Sequence, residues 1–472
     1  MTPRIARPPG LAALCLILAS FAVIMSTVLL LKIPVALALF AAWFAMFAIG
    51  KGLGHTYDSL QQGALDGIRS GLEGVLIIVT VGALIGGWIA GGIVPSVIYY
   101  GVSLIDPAWF LPAAFLICGL TGLVTGTSFG AVGTIGIAMM GIGHGFELPL
   151  PVVAGAVISG AYVGDKLSPL SDTTVLTASI CEVPLIEHVR SMLYTGVPCV
   201  TLATVGFALA GNHFSSADYD MQQADAVMNQ LDAHFSISLW LLLPILATLV
   251  LLALRKPALP VIAIGAVLGV ACAWVVQDDT PLQAVNALYV GNQGDYGDGY
   301  LASILNRGGI VSMLPVIAIV IFALGLGGLM ERLGVLETIA NALTRMVHRS
   351  TGRLTLATMA CGFFGTIFGG AAYVAIFTAA SMTRNIYDRL GLQRTVLSRN
   401  VEAGGTLSTP MIPWTSGAVF MATTTGVATT DYLPFLWYHW LVMAFSLLYG
   451  FTGFAMWRRP QADTDVDAEP AR

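Results

Sequence analysis

Charge is what this 472-residue chain has least of: Asp, Glu, Lys and Arg together supply 10% of it, against about 25% in an ordinary soluble protein. That scarcity excludes a water-soluble fold of this size. The net charge of −5 points to no charged partner, and no basic run or aromatic-basic interleaving favours nucleic acid. Six cysteines (Cys15, Cys118, Cys181, Cys199, Cys272, Cys361) lie scattered in apolar segments with no CxxC pair. Neither a disulfide framework nor a zinc site is indicated, and they read as small hydrophobes. No HExxH or P-loop occurs, so metalloprotease chemistry and ATP-driven pumping have no support. An intramembrane aspartyl protease would want Gly-x-Gly-Asp, but Tyr162 stands where the first glycine should be. The reading is not an enzyme, with no cofactor.

What the chain has instead is apolar: 56% hydrophobic residues, in many runs near the ~20 residues that span a bilayer as helix. It reads as an all-α polytopic membrane protein rather than a barrel. After a tail at 1–10 carrying Arg4 and Arg7, the run at 11–31 is too long for a secretory signal and should stay as a helix. A first repeat, 11–211, has runs at 11–31, 33–49 and 75–94, an interrupted run at 109–142, a broken segment at 149–186 and a span at 191–211. The stretch 212–234 (Asp218, Asp220, Asp225, Asp232, no Lys or Arg) reads as a periplasmic loop linker. A second repeat, 235–457, follows the same order: 235–254, 257–277, 310–330, an interrupted run at 354–381, a broken segment at 401–430, and 435–457. A tail at 458–472 closes the chain.

The two series match element for element at an offset of about 241 residues, which lays Thr125 on Thr366 and Pro169 on Pro410. Weak symmetry of this kind is the sequence trace of a transporter repeat. Positive charge sets the orientation. Arg332, Arg345, Arg349 and Arg353 precede 354–381, and Arg384, Arg389, Arg394 and Arg399 follow it. Both ends are expected in the cytoplasm, so the run reads as a re-entrant hairpin. Its counterpart at 109–142 has no Lys or Arg between Arg69 and Lys166 and should enter from outside. Arg255-Lys256 belong inside, the acidic Asp218–Asp232 and Asp278–Asp298 stretches outside, and Arg458 and Arg459 place the C-terminus in the cytoplasm with the N-terminus. Each repeat then has five crossings, a re-entrant hairpin and a broken helix, and the odd number inverts the second. Only Lys32 and Arg307 stand on the unfavoured side. The alternative for each interrupted run is two short crossings or one tilted helix.

Polar chemistry gathers where lipid should forbid it. Gly164-Asp165-Lys166-Leu167-Ser168-Pro169-Leu170-Ser171-Asp172-Thr173-Thr174 interrupts a membrane-quality run. An ionisable group near the bilayer centre costs from ~2.5 to above 10 kcal/mol, so it marks function. Gly164 and Pro169 also break the helix and free backbone carbonyls to act as ligands. Asp165, Asp172, Ser168, Ser171 and Thr173 supply the oxygens a small hard cation wants, and the carboxylates can take a proton instead. That competition between Na⁺ and H⁺ is the minimum for exchange. Asp172 has an alternative role as helix N-cap. Asp165 could instead pair with Lys166, or Lys166 could act as an internal counter-ion.

The mirror element carries Asn400, Glu402, Thr406, Ser408, Thr409, Pro410 and Trp414. Asn400 and Glu402 fall near the expected cytoplasmic entrance, where a solvated face competes with ligation, and Trp414 walls the cavity or simply packs. The hairpin tips offer Thr125, Thr127 and Ser128 in one half and Thr366 in the other, suited to gating or to small-residue packing. The seven histidines read as interfacial.

Gly160-Ala-Tyr-Val-Gly-Asp-Lys-Leu-Ser-Pro-Leu-Ser-Asp-Thr-Thr174 resembles the signature of NhaC-family Na⁺/H⁺ antiporters. Ser398-Arg-Asn-Val-Glu-Ala-Gly-Gly-Thr-Leu-Ser-Thr-Pro-Met-Ile-Pro-Trp-Thr415 is similar to the family's second motif, and Thr125-Gly-Thr-Ser-Phe-Gly-Ala-Val-Gly133 to its hairpin. The resemblance covers roughly 10–457 and implies a secondary transporter of the bacterial inner membrane, within the wider ion-transporter superfamily, with two inverted repeats. It implies Asp165, Ser168, Asp172 and Thr173 as cation-site residues, joined by Glu402, Thr406 and Thr409. The second hairpin, Thr366 to Tyr373, is more apolar than such a tip should be. The leading expectation is Na⁺/H⁺ antiport by alternating access, with Na⁺, H⁺ and the lipid bilayer as partners. The alternative is Na⁺- or H⁺-coupled exchange of a small organic acid, of the malate or lactate type, or an amino acid. A homodimer is left open.

Overall fold

The structure, a computed structural model, describes residues 11–31, 33–215, 221–254, 256–296, 300–345, 347 and 350–459. Arg4, Arg7, Lys32, Asp218, Asp220, Arg255, Asp298 and Arg349, all used in the charge reading, lie outside the described residues, as do His348 and the 460–472 part of the tail. Among those described every regular element is helical. Among the described residues seven helices are long and apolar enough to cross a membrane, and two bent helix pairs also qualify. The protein is an all-helical, multi-pass membrane protein.

The first half runs α1 (Leu11–Leu31), α2 (Val35–Gly52), α3 (Tyr57–Ser70), α4 (Leu72–Ala90), α5 (Ile93–Leu104) and α6 (Pro107–Thr125). It continues with α7 (Ser128–Ala131), α8 (Ile137–Gly145), α9 (Leu150–Leu167), α10 (Asp172–Ile180) and α11 (Leu185–Ser215). The stretch read as a loop linker is mostly α12 (Met221–His234), whose Val227 and Leu231 are buried. Asp225, Asp232 and its other polar residues hide that helix from a search for apolar runs. The second half runs α13 (Leu243–Ala253), α14 (Ala258–Val276), α15 (Pro281–Val290), α16 (Tyr300–Leu305), α17 (Gly309–Arg332), α18 (Val335–Arg345), α19 (Thr351–Gly369) and α20 (Ala372–Arg389). It ends with α21 (Arg394–Gly404), α22 (Ser416–Thr425), α23 (Thr429–Tyr432) and α24 (Trp437–Thr452).

The halves share one packing plan. Helix α4 lies against α14 and α15, while its counterpart α17 lies against α2 and α3, and α4 and α17 meet each other. Likewise α6 packs on α9 and α11, and α19 on α21 and α24. The spacing between equivalents is 244 residues: α6 and α19 match at both ends, α9 and α21 at their starts, α10 and α22 at theirs. That is three more than the offset which aligned Thr125 with Thr366. The extra residues change the equivalences, so that Gly126 stands opposite Gly370 and Ser171 opposite Thr415.

Both interrupted runs are helix–turn–helix units. Gly126 (φ 69°) and Gly370 (φ 68°) take the left-handed conformation at the two turns, which favours glycine for want of a Cβ. Small residues then let backbones touch. A Cβ on Gly164 would fall 2.2 Å from Leu123 N and 2.4 Å from Gly119 O, so α6 and α9 are in direct backbone contact there. The hydroxyl of Ser168 locks the arrangement by donating to Leu123 O at 2.8 Å.

Candidate cation site

The first broken helix unwinds at Ser168–Ser171, between α9 and α10. Asp165, in the last turn of α9, is 5% exposed. Each carboxylate oxygen accepts a short hydroxyl hydrogen bond. Ser171 Oγ donates to Oδ1 at 2.6 Å, and Ser128 Oγ, at the first hairpin's turn, donates to Oδ2 at 2.7 Å. Thr173 Oγ1 lies 2.9 Å from Ser171 Oγ, which extends the hydroxyl cluster. Sequence positions 128, 165, 171 and 173 thus converge on one acid.

Asp172 differs. It is exposed, and it is the first residue of α10 rather than its cap. The capping atom is Ser171 Oγ, which accepts from Thr174 N at 3.4 Å. Asp172 Oδ2 accepts from Tyr373 OH at 2.5 Å. Tyr373 belongs to α20, so this contact joins the first broken helix to the second hairpin. The two aspartates therefore differ: Asp165 is buried and hydroxyl-bound, and Asp172 opens to the cavity. The carbonyls of Asp165 and Lys166 are also less free than an unwound helix suggests, because Thr174 Oγ1 lies within 3.3 Å of both.

A cavity of about 710 Å³, part of it open to solvent, reaches these groups. Asp165, Asp172, Thr173, Ser128 and Thr127 line it from the first half. Thr406, Thr409, Ser416 and Tyr373 line it from the second. Its wall also includes Gly71 and Gly74, beside the α3–α4 junction. Tyr162 OH and Thr409 Oγ1, 3.0 Å apart, bridge the two broken helices within that wall.

Several predicted residues lie elsewhere. Ser168 binds the Leu123 carbonyl, away from Asp165. Ser408 mirrors it, 2.6 Å from Thr366 Oγ1 in the second hairpin. Thr125 stays within its own turn, donating to Thr127 O at 3.2 Å, and Thr127 caps α7. Pro169 sits in the first break, and Pro410 in the second, where its carbonyl accepts from Tyr432 OH at 2.8 Å. Trp414 donates to Ile367 O at 2.8 Å and packs edge-on against Phe21, so it serves packing outside the cavity wall.

Asn400 and Glu402 are fully buried, which overturns the solvated reading for both. Asn400 Nδ2 donates to Tyr387 OH at 2.9 Å and to Thr355 Oγ1 at 3.2 Å. Glu402 Oε1 accepts from Thr177 Oγ1 at 2.6 Å, while its second oxygen has no partner. Lys166 Nζ is also buried without a hydrogen bond. Among the described residues it makes no ion pair with Asp165. Tyr162, Thr177 and Tyr373 escaped the sequence reading. Tyr162 and Tyr373 stand inside the motifs, but aromatic residues in apolar helices look like packing.

Among the described residues no three Asp, Glu, His or Cys side chains cluster as a polyvalent metal site would require. One buried carboxylate among hydroxyls balances one positive charge, which suits a proton or an alkali cation better than a divalent ion.

The sequence matches the Na⁺/H⁺ antiporter family over residues 10–211 and again over 160–454. It is 44% identical over 452 residues to the malate-2H⁺/Na⁺-lactate antiporter of Bacillus subtilis, covering 96% of each chain. The Na⁺/H⁺ antiporter NhaC of Alkalihalophilus pseudofirmus is 34% identical across 92% of this chain and 94% of its own. The arginine/ornithine antiporter ArcD of Halobacterium salinarum is 33% identical across 89% of this chain and 87% of its own.

Proposed function

Because the chain belongs to the Na⁺/H⁺ antiporter family, we propose that it exchanges Na⁺ for H⁺ at Asp165 by alternating access. The observation that carries this reading is a single buried carboxylate whose two oxygens are both held by hydroxyls at a helix break. Protonated, Asp165 stays in its hydroxyl cage. Ionised, it can accept Na⁺ with Ser128, Ser171 and Thr173 turning lone pairs toward the ion. The two states exclude each other, so transport is an exchange and the protein is no enzyme. Asp172, at the cavity surface, draws the cation in, and Tyr373 ties its movement to the second half.

The recurring 244-residue spacing and the swapped packing of α4 and α17 support two repeats of inverted topology. The cavity wall at Gly71, near Arg69 and so cytoplasmic by charge, supports an inward-facing state of a bacterial inner-membrane carrier with both termini in the cytoplasm. The hairpin α6–α8 turns at the cavity while its ends lie away from Arg69, and the α19–α20 ends carry Arg353 and Arg389. This supports re-entrant hairpins entering from opposite faces.

A second reading is that a small carboxylate is exchanged as well. The 44% identity over 96% of both chains with a malate/lactate antiporter favours it. Proteoliposomes test both. Na⁺-driven proton movement without organic solute is the expected result of the first reading, and its strict absence rejects it. Exchange that appears only with malate or lactate present would leave the second reading standing alone.

A further inference from the structure

Arg307 is a described cation on the unfavoured side of the positive-inside pattern. It lies in the turn before α17, where its carbonyl accepts from Asn292 N at 3.1 Å and Gly308 and Gly309 follow with φ of 84° and 79°. Its guanidinium lies over Gly426, where a Cβ would fall 2.4 Å from one terminal nitrogen. Among the described residues it makes no ion pair and no side-chain hydrogen bond. It faces a second cavity of about 690 Å³, which Ser312, Thr423, Thr424 and Thr425 also line. Thr424 is 5% exposed, and its hydroxyl has no hydrogen-bond partner among the described residues.

The two cavities are stacked on shared elements. Helix α4 contributes Ile77 to the Asp165 cavity and Ile85 to this one; α22 contributes Gly417 and then Thr424. Those separations of seven or eight residues place the centres about 11–12 Å apart along the helices. On α17 the order reverses, Leu324 facing the Asp165 cavity and Met313 this one, as its direction requires. The second cavity therefore lies on the same path, toward the face opposite Arg69.

We propose that this outer cavity is a recognition site for a small carboxylate, held by the Arg307 guanidinium with the Thr424 hydroxyl as second donor. A guanidinium presents a planar pair of N–H groups that matches a carboxylate. The rest of the wall joins aliphatic and thioether side chains, fit for a short carbon skeleton, to the hydroxyl residues Ser312, Thr423 and Thr425. This rests on the carboxylate-exchange reading for its ligand class, and not on Asp165.

Thermal unfolding of the purified full-length protein, titrated in Na⁺-free buffer with L-malate or L-lactate as choline salts, tests it. Wild type and Asp165→Asn should be stabilised saturably. Arg307→Gln and Thr424→Val should weaken the apparent affinity at least tenfold while unfolding at the wild-type temperature without ligand. Arg307→Lys should fall between. Wild-type affinity in Arg307→Gln, equal stabilisation by chloride or sulfate, or no response of wild type to either acid would each overturn the site. Failure of the Na⁺/H⁺ reading is distinguishable, because it shows as absence of Na⁺-driven proton movement in proteoliposomes and leaves these titrations unaffected.

Discussion

Replacing each of the two aspartates by asparagine should produce very unequal losses. Asp165 is buried, and a cation bound to it would sit at roughly 2.4 Å, where an effective dielectric of about 20 gives a gross attraction near 7 kcal/mol. Even after most of that is offset by dehydration, Asp165→Asn should lower Na⁺ affinity by more than about 100-fold, beyond what a vesicle assay detects. It also removes the buried acid proposed to carry the proton. Asp172 is exposed, and exposed charges contribute about 0.2–1 kcal/mol to a neighbour. Asp172→Asn should therefore raise the half-saturating Na⁺ concentration by no more than about fivefold.

The measurement is Na⁺-induced dequenching of a pH-sensitive dye in everted vesicles, repeated across pH. Competition at one carboxylate fixes the sign. In the range where Asp165 is protonated, each unit rise in pH should improve the apparent Na⁺ affinity about tenfold, because one proton leaves for each ion bound. Asp172→Asn should keep that slope. Near-normal exchange in Asp165→Asn, or equal loss in both variants, would refute the assignment.

Other substitutions separate contact from proximity. Ser128→Ala and Ser171→Ala each remove a hydroxyl from Asp165 and should weaken Na⁺ activation several-fold, about 0.5–1.5 kcal/mol apiece; Ser168→Ala, whose hydroxyl binds Leu123 O, should leave Na⁺ affinity unchanged and lower only thermal stability. Tyr373→Phe should slow turnover more than it weakens Na⁺ binding, since it cuts a link between the halves; a change confined to Na⁺ affinity would refute that coupling. Gly164→Ala should destabilise the protein by about 1–3 kcal/mol, read as a lower unfolding temperature, because its Cβ meets backbone at 2.2 Å.

The sequence exposed those features that run against lipid. A break of Asp, Ser and Pro in an apolar run has few explanations, so both broken helices, both turns and the cluster around Asp165 were legible. What stayed hidden has physical causes. Helices α3, α12 and α18 are short and polar on one face, so a search for long apolar runs passes over them. The 241-residue offset matched Pro169 to Pro410 because their types agree; the fold instead pairs Asp165 with Thr409, and side-chain identity does not show such an equivalence. Burial of Asn400 and Glu402 follows from α21 being packed on α11, α19, α20 and α24, a tertiary effect that charge patterning near a helix end cannot report.

The layer between the cavities yields the last prediction. Phe129 and Phe420 stack at 4.5 Å with ring planes 12° apart, one from the first hairpin's return arm and one from α22. A Cβ on Gly133 would fall 2.6 Å from Val81, so α4 closes on the same level. The two rings offer a Na⁺ ion no oxygen ligand to replace the water it would shed in passing them. On the inward-facing reading proposed above, this layer is the barrier that keeps the Asp165 cavity from the far side. An aromatic stack is worth about 0.5–1.5 kcal/mol, and 1 kcal/mol changes a two-state ratio about fivefold. Phe420→Leu keeps apolar bulk but loses the stack, so it should shift the population outward by that factor. The measurement is the labelling rate of a cysteine placed at Met313 by an impermeant reagent added outside, expected to rise about fivefold with exchange still coupled. Phe420→Ala opens a hole as well and should add a Na⁺ leak that persists in Asp165→Asn. If neither variant changes labelling at position 313, the barrier lies elsewhere, and the two cavities are not successive stations on one path.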